Sequence, residues 1–159
     1  MKLRGLTISE LLVVFFIIGL LVAAATPSAR RMYQESRLDR RTEEVVSIFR
    51  QARQYAVTEQ SIYGVSLYQT TNHLDLIHQI PDPNNPGLYL DDIVSSLDIE
   101  QPLAVVATSL SEGELVYFNN IGNPSKAVEI ILEDDFNRSR AVCINAVGSI
   151  QQKIGNSCN

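Results

Sequence analysis

The sequence lacks the residue patterns of common catalytic and metal-binding sites. It has only two cysteines and two histidines in 159 residues, with no CxxC or HExxH spacing, which excludes the usual zinc sites. No nucleophile-elbow motif frames its serines. His73 and His78 are five residues apart in a predicted strand, so their side chains point to opposite faces. We therefore predict that the chain is not an enzyme and that it has no cofactor and no metal site.

One acidic run could still supply oxygen ligands to calcium. Glu133, Asp134, Asp135 and Asn137 lie close together in the sequence, and carboxylate and amide oxygens suit that ion. The run does not have the ligand spacing of an EF-hand loop. The interpretation we prefer is a solvated turn between two strands.

Positive charge is scarce outside one short region. Residues 30–53 contain seven arginines and four acids, whereas residues 54–159 contain four basic residues and thirteen acids. The overall composition is 45% apolar and 19% charged, which is ordinary for a globular protein and excludes a disordered or polytopic membrane chain. There is no internal repeat. The length suits one domain with an appendage.

The one long apolar run, residues 11–25, contains no polar side chain. Three interpretations are open. It could be a secretory signal peptide that is cut after the small residues Ala23 and Ala25. It could be a transmembrane anchor, which needs ~20 apolar residues and would have to include Glu10. It could also lie in the membrane temporarily and later pack against copies of itself.

Glu10 helps to separate these interpretations. A carboxylate at the bilayer centre costs roughly 2.5–3.5 kcal/mol, so an acid beside an apolar run is a candidate for a function with a cationic partner. Cleavage after Gly5 would give Leu6 a free α-amino group, whose reference pKa is ~7.7–8. Between neighbouring chains, a pair formed by that amino group and Glu10 could set the axial register. The alternative is that Glu10 only complements the helix macrodipole.

The start of the chain resembles the class III leader of type IV pilins and type II secretion pseudopilins. The resemblance lies in residues 5–10, Gly-Leu-Thr-Ile-Ser-Glu, and in the apolar run that follows them. The resemblance implies cleavage after Gly5 by a prepilin peptidase, N-methylation of Leu6, an assembly role for Glu10 and a helix kink at Pro27. That family usually has Phe at the position of Leu6 and an aliphatic residue at the position of Ser9.

The resemblance also implies a location and partners. Before assembly the chain would cross the bacterial inner membrane once, with a cytoplasmic amino terminus and a periplasmic head. It would then enter a pilus or pseudopilus. Its partners would be other pilins bound through the N-terminal helix, the prepilin peptidase and the inner-membrane assembly platform. Nucleic acid is not expected as a partner.

The helical pattern resumes after Pro27. Leu38, Thr42, Val45, Phe49, Ala52 and Ala56 are spaced 4, 3, 4, 3, 4, which predicts one continuous helix face that must pack against another surface. Period-two patterns follow. They predict strands at residues 61–68, 73–80, 102–108, 114–118, 127–132, 140–146 and 149–154, with a proline-rich loop at 81–87 and an ambiguous segment at 91–97.

The predicted fold is α+β, with a long N-terminal helix packed on an antiparallel β-sheet head, as in pilins. We expect a leader at residues 1–5, a helix at 6–59 and a head at 60–159. Within the helix, residues 6–29 would form a membrane and assembly spine, and residues 30–59 an amphipathic stem.

The last fifty residues resemble the GspH/FimT group of minor pilins and pseudopilins, through the turn that follows residues 114–118 and the Gly148 hairpin. Two functions are consistent with this resemblance: a low-copy structural subunit at a tip that helps to initiate assembly, and a DNA-capturing minor pilin. DNA binding needs a basic patch, and the only weak candidates are Arg138, Arg140 and Lys153. A soluble secreted protein that begins at Thr26 is a further alternative.

Cys143 and Cys158 are the only cysteines. In the cytoplasm they would be small buried hydrophobic residues, but an exported head enters an oxidising compartment. Cys143 lies on a predicted strand, and the chain can return beside it after the hairpin at Gly148. We predict a disulfide between them, worth ~3 kcal/mol in the chain-entropy view.

Overall fold

The computed structural model describes residues 8–100 and 103–158, without the side chains of residues 24–31. Within these residues, one helix and eight strands follow each other. They are α1 (Ile8–Thr58), β1 (Ile62–Tyr68), β2 (His73–Pro81), β3 (Tyr89–Asp98), β4 (Ala104–Thr108), β5 (Glu114–Phe118), β6 (Val128–Glu133), β7 (Ser139–Ile144) and β8 (Ile150–Ile154). The chain divides into two compact units between Ser36 and Arg37.

The part of α1 in the second unit, which we call the stem (residues 37–58), buries the face that the sequence predicts. All six predicted positions, from Leu38 to Ala56, are fully buried. The one polar member, Thr42, donates its hydroxyl hydrogen to the carbonyl oxygen of Leu38 at 2.7 Å, so burial leaves no donor unpaired. Val46 and Ile48 are also buried, which makes the apolar face wider than predicted. The helix ends before Gln60, whose φ of 53° is left-handed.

The head contains two antiparallel four-stranded sheets, where the sequence predicted one. Sheet A has the order β3-β2-β1-β5, and sheet B has the order β4-β6-β7-β8. In sheet A, Leu67 pairs with Leu74 and Val65 with Leu76, and these four side chains belong to the same buried cluster as the stem. A long helix therefore packs on an antiparallel β head, as predicted.

The strand predictions differ from the structure mainly at their ends. The proline-rich loop is confirmed after Pro81, which is the last residue of β2. The ambiguous segment is strand β3, and every residue of β3 except Leu97 is exposed. Apolar and polar residues alternate along a strand when one of its faces is buried and the other is exposed. Because both faces of β3 are exposed, its sequence does not show this period-two pattern. A bulge at Val94 breaks the register further.

The predicted disulfide between Cys143 and Cys158 is present, with a sequence separation of 15. It links strand β7 to the C-terminal segment after β8. The amide of Cys158 also donates to Glu129 Oε1 at 2.8 Å. The terminal segment is therefore held to sheet B by a covalent bond and by a hydrogen bond to a charged group.

Candidate assembly site

The predicted N-terminal site lies only partly in the described region. Gly5 and Leu6, the predicted cleavage and methylation positions, lie outside the described residues. Glu10 is the acid in the first turn of α1, a position that also suits the helix dipole. The backbone at Pro27 is helical, but its side chain lies outside the described ones. Cleavage, methylation, the assembly role of Glu10 and the kink at Pro27 therefore stay predictions.

The first part of α1 exposes apolar side chains on all sides. From Ile8 to Val22 its large hydrophobic residues are 47–88% exposed. A contiguous exposed apolar surface of this kind is unusual for a soluble monomer and marks an interaction with protein or lipid. Within the described residues, no helical stretch is both long enough and apolar enough to cross a bilayer.

Two turns of the head meet at the end of the stem. Gly122 follows β5 and Gly148 follows β7, with φ values of 82° and 80° that disfavour any other residue. A Cβ atom on Gly148 would lie 2.3 Å from the carbonyl oxygen of Gly122. That same oxygen accepts a hydrogen bond from Arg53 Nε at 3.0 Å. Only glycine allows the turns to approach each other this closely.

The two turns have the same design, which we did not recognise in the sequence. Each reads Asn-x-Ile/Val-Gly, at residues 119–122 and 145–148. The side-chain oxygen of each asparagine accepts two backbone N–H groups, from Ile121 and Asn123 in one turn and from Val147 and Ser149 in the other. These Asx-type bonds fix the loops. The residue before each glycine, Ile121 or Val147, is 68% or 69% exposed.

Beside these turns lies an open groove of about 630 Å³ between the stem and the β7–β8 hairpin. We call it the basic groove. Its lining includes Arg50, Arg53, Val57, Val147, Ser149 and Ile150. Arg50 is exposed, whereas Arg53 is held by Gly122. Two guanidinium groups beside aliphatic side chains can bind a partner that combines acidic and apolar groups.

The three weak candidates for DNA contacts all interact within the chain. Arg140 is only 6% exposed, and its Nε donates to Asp39 Oδ1 at 2.7 Å. Arg138 donates to Asp134 Oδ2 at 2.6 and 2.9 Å. Lys153 Nζ donates to the carbonyl oxygen of Cys158 at 2.5 Å. These three cations stabilise the head through contacts within the chain. They do not form a basic patch.

The acidic run at residues 133–135 forms a turn, but the prediction that it is solvated is wrong for its central residue. Asp134 is buried, at 5% exposure, and accepts the backbone N–H groups of Phe136 and Arg138. Burial pushes the pKa of Asp134 up, but hydrogen bonds from the Arg138 side chain and from the two backbone amides outweigh it, and the pKa is lowered. Asp134 therefore organises the turn as an anion.

His73 belongs to a charge cluster that sequence reasoning missed. Its Nδ1 lies 2.5 Å from Asp98 Oδ1 and its Nε2 lies 2.8 Å from Asp75 Oδ1. Ser96 also donates to Asp75 at 2.6 Å. The hydrogen bond to Asp98 raises the pKa of His73, burial opposes that shift, and the bond to Asp75 adds to it. The only sequence signal was the His-x-Asp spacing, which places both side chains on one strand face.

His78 lies on the other face of β2, as predicted. Its ring stacks on Tyr63 with 4.3 Å between centroids, and its Nε2 lies 2.8 Å from Ser61 Oγ. The two histidines therefore do not form one site, because they lie on opposite faces of β2 and contact different residues.

Comparison with protein-family models gives no match for this chain, and comparison with curated proteins by sequence gives none either. Solved structures do match. The minor pseudopilin EpsH from the type 2 secretion system of Vibrio cholerae superposes with a TM-score of 0.59 at 9% identity, covering 74% of this chain and 96% of that one.

The type IV minor pilin FimU of Pseudomonas aeruginosa strain PAO1 gives a TM-score of 0.59 at 16% identity. That match covers 79% of this chain and 98% of FimU. A second crystal form of FimU gives 0.57. The chain has the pilin-like fold of the GspH/FimT type.

Proposed function

We propose that this chain is a minor pilin or pseudopilin, a structural subunit of a type IV pilus or of a type II secretion pseudopilus. The observation that carries the proposal is the contrast within α1. Its first part exposes apolar side chains all round, whereas the stem is buried against the head. The exposed apolar surface of the first part needs a partner to cover it. The stem needs none, because the head already covers its apolar face. The fold that the chain shares with EpsH and FimU supports the same function.

In this function the N-terminal residues act during assembly. A prepilin peptidase cuts after Gly5 and methylates Leu6, so the chain is a substrate of that enzyme. Its own role in this proposal is structural and not enzymatic. Before assembly the apolar segment crosses the inner membrane, with the head in the periplasm. During assembly, Glu10 pairs with the amino terminus of a neighbouring subunit, because an acid in an apolar setting needs a cationic partner. The assembly platform drives insertion, and the subunit acts at the tip to initiate assembly.

Analysis of the mature amino terminus tests this proposal. The expected result, from mass spectrometry of the protein purified from membranes, is a chain that begins at N-methylated Leu6. A start at Thr26 would instead identify a secreted soluble protein and would overturn the proposal. A Gly5→Ala variant whose amino terminus matches that of the native protein would also contradict it, since cleavage would then not depend on the leader motif.

DNA capture, the second function considered from the sequence, gains no support from the described residues. Arg138, Arg140 and Lys153 are all engaged within the head. We therefore expect no salt-sensitive band shift when the full-length protein is mixed with duplex DNA at low salt. A tight shift that disappears at high salt would show that other cations bind phosphate groups.

A further inference from the structure

The basic groove contains two arginines whose charge has no partner among the described residues. Arg50 makes no hydrogen bond or ion pair with them, and Arg53 uses only its Nε, which donates to the carbonyl oxygen of Gly122 at 3.0 Å. The terminal nitrogens of the Arg53 guanidinium group are therefore available to a ligand. Both residues are exposed and line the groove. They are three residues apart on the stem, which places them on one side of the helix.

Other cations of the stem and head are paired. Those that form an ion pair with a carboxylate are Arg41, Lys126, Arg138 and Arg140. An arginine without a partner is ordinarily just solvated, and a single one would indicate nothing. Here two such guanidinium groups share one groove with exposed apolar side chains, and solvation of the charges does not explain that combination.

The apolar part of the groove is exposed and held in place. Val57 and Val147 are 40% and 69% exposed, and the nearly buried Ile150 also belongs to the lining. Val147 lies in the turn whose Asn145 side chain accepts the N–H groups of Val147 and Ser149. Its position is therefore fixed before any partner binds. A preorganised surface loses little conformational freedom on binding, which leaves more of the contact energy for affinity.

These features restrict the chemistry of the partner. Guanidinium groups form their strongest hydrogen bonds with carboxylates and phosphates, and exposed aliphatic side chains favour apolar cover. A nucleic acid backbone would satisfy the arginines but would leave Val57 and Val147 uncovered. A protein segment with Asp or Glu beside an apolar side chain satisfies both. A second copy of this chain does not fit the proposed role, because a low-copy subunit at a tip has neighbours of other kinds.

We propose that the basic groove binds an acidic and apolar segment of a different pilin subunit, the neighbour with which this chain initiates assembly. Arg50 and the terminal nitrogens of Arg53 bind carboxylates of that segment, while Val57 and Val147 pack on its apolar side chain. The bond from Arg53 Nε to Gly122 holds the guanidinium group in the groove. Opposite charges on the two surfaces select this neighbour. The contact rests on the proposed function and adds the chemistry of the partner to it.

Photo-cross-linking in assembled filaments tests the contact. The photoreactive amino acid p-benzoylphenylalanine replaces Val147 in the full-length protein, in cells that carry the native assembly machinery. In the matched control it replaces Phe136, which is 60% exposed and follows β6 at the other end of β7. After irradiation, the protein is enriched from sheared filaments and the linked peptide is identified by mass spectrometry. The position of Val147 should yield a peptide of a different pilin that contains Asp or Glu, and the control should not yield that peptide.

Three results of this experiment would overturn the proposal. The first is a linked peptide from a second copy of this chain. The second is a linked peptide that has no carboxylate side chain or does not come from a pilin. The third is the absence of any protein cross-link at the position of Val147 in filaments that contain the subunit.

Two variants with the same net charge test the role of the arginine. Arg50→Gln and Gln51→Glu each lower the charge of the stem by one, but Gln51 is an exposed residue outside the groove lining. Both are combined with the photoreactive residue and checked for native circular dichroism and an intact disulfide. Arg50→Gln should reduce the yield of the cross-link at least about fivefold, whereas Gln51→Glu should leave it unchanged. Equal yields from the two variants would contradict the assignment of Arg50.

A nucleic acid as the ligand would give a different result. The detergent-solubilised wild-type protein should give no salt-sensitive band shift with duplex DNA. A shift that Arg50→Gln abolishes and Gln51→Glu preserves would identify phosphate groups as the ligand of the groove, and the proposed protein contact would be wrong.

Failure of this contact can be told apart from failure of the proposed function. If the subunit is present in sheared filaments and begins at methylated Leu6, but the position of Val147 gives no cross-link to a different pilin, the groove contact is wrong and the proposed function stands. If the mature chain begins at Thr26 and is absent from filaments, the proposed function and the contact are both wrong.

Discussion

The two parts of α1 have the same secondary structure and opposite surroundings. Residues 8–22 expose their large apolar side chains, whereas the stem buries Leu38, Val45 and Phe49 completely. The first part has no charged residue from 11 to 25, while residues 30–53 contain seven arginines. Secondary structure therefore does not distinguish the two parts. The difference lies in burial: the chain's own head covers the apolar side chains of the stem, whereas those of residues 8–22 are exposed, and in the proposed function neighbouring subunits cover them.

The largest expected effect compares one phenylalanine from each part. Phe49→Ala should lower the free energy of unfolding by about 3–5 kcal/mol, because Phe49 is fully buried in the core cluster and its loss leaves a cavity there. Phe15 is exposed, so Phe15→Ala should change the unfolding free energy by less than about 0.5 kcal/mol. Urea unfolding of the full chain in detergent, followed by circular dichroism, measures both. Equal destabilisation by the two variants would show that the first part is also packed on the head.

A pair of glycines should give effects of opposite sign. Gly148→Ala combines a left-handed φ with a Cβ atom 2.3 Å from the Gly122 oxygen, and should cost about 2–4 kcal/mol. Gly19 lies mid-helix with nothing within 4 Å of an added Cβ. Gly19→Ala should therefore stabilise the helix by about 0.5–1 kcal/mol. The same unfolding curves, with helix content from circular dichroism, check both values; a neutral Gly148→Ala would contradict the close approach of the two turns.

The smallest expected effect is a pH dependence confined to the head. Hydrogen bonding to Asp98 raises the pKa of His73 above its unfolded value of about 6.5. The protonated ring then stabilises the fold fully below about pH 6.5, and this contribution is lost as pH rises through the folded pKa. Asp98 is well exposed, so the contribution should stay under about 1 kcal/mol.

Urea midpoints at pH 6 and pH 8 measure this loss, and His73→Gln should reduce the difference between them. His78→Gln is the matched control, since it removes the other histidine of the same strand and should leave the His73 contribution in place. A His73→Gln midpoint difference as large as that of wild type would exclude His73 as its source.

The sequence predicts this fold well where one face is buried. The stem stripe from Leu38 to Ala56 is visible because burial on one side imposes a 3.6-residue period. Strand β3 is ambiguous because it is exposed on both faces and bulged at Val94. The division into two sheets is not visible either, since strand patterns do not specify which strands pair.

In the candidate site, too, some features can be predicted from the sequence and others cannot. The leader resemblance can be read from residues 5–10 alone, because it is a local motif. The contact between Gly122 and Gly148 joins residues that are 26 positions apart, and the His73–Asp98 pair spans 25. Such contacts depend on strand pairing, so they become visible only in three dimensions. The repeated Asn-x-Ile/Val-Gly turn was the one local signal that could have pointed to the first of them.

The most direct test of the contrast within α1 is incorporation of Glu10→Gln into filaments. Glu43→Gln, an exposed stem acid of the same type, is the matched control. Both variants should be cleaved, folded and disulfide-bonded. The account predicts that Glu43→Gln is incorporated like wild type, whereas Glu10→Gln stays in the membrane fraction and is depleted in sheared filaments or pseudopili by immunoblot. Normal incorporation of Glu10→Gln would contradict the claim that the first part of the helix is an assembly surface that uses this carboxylate.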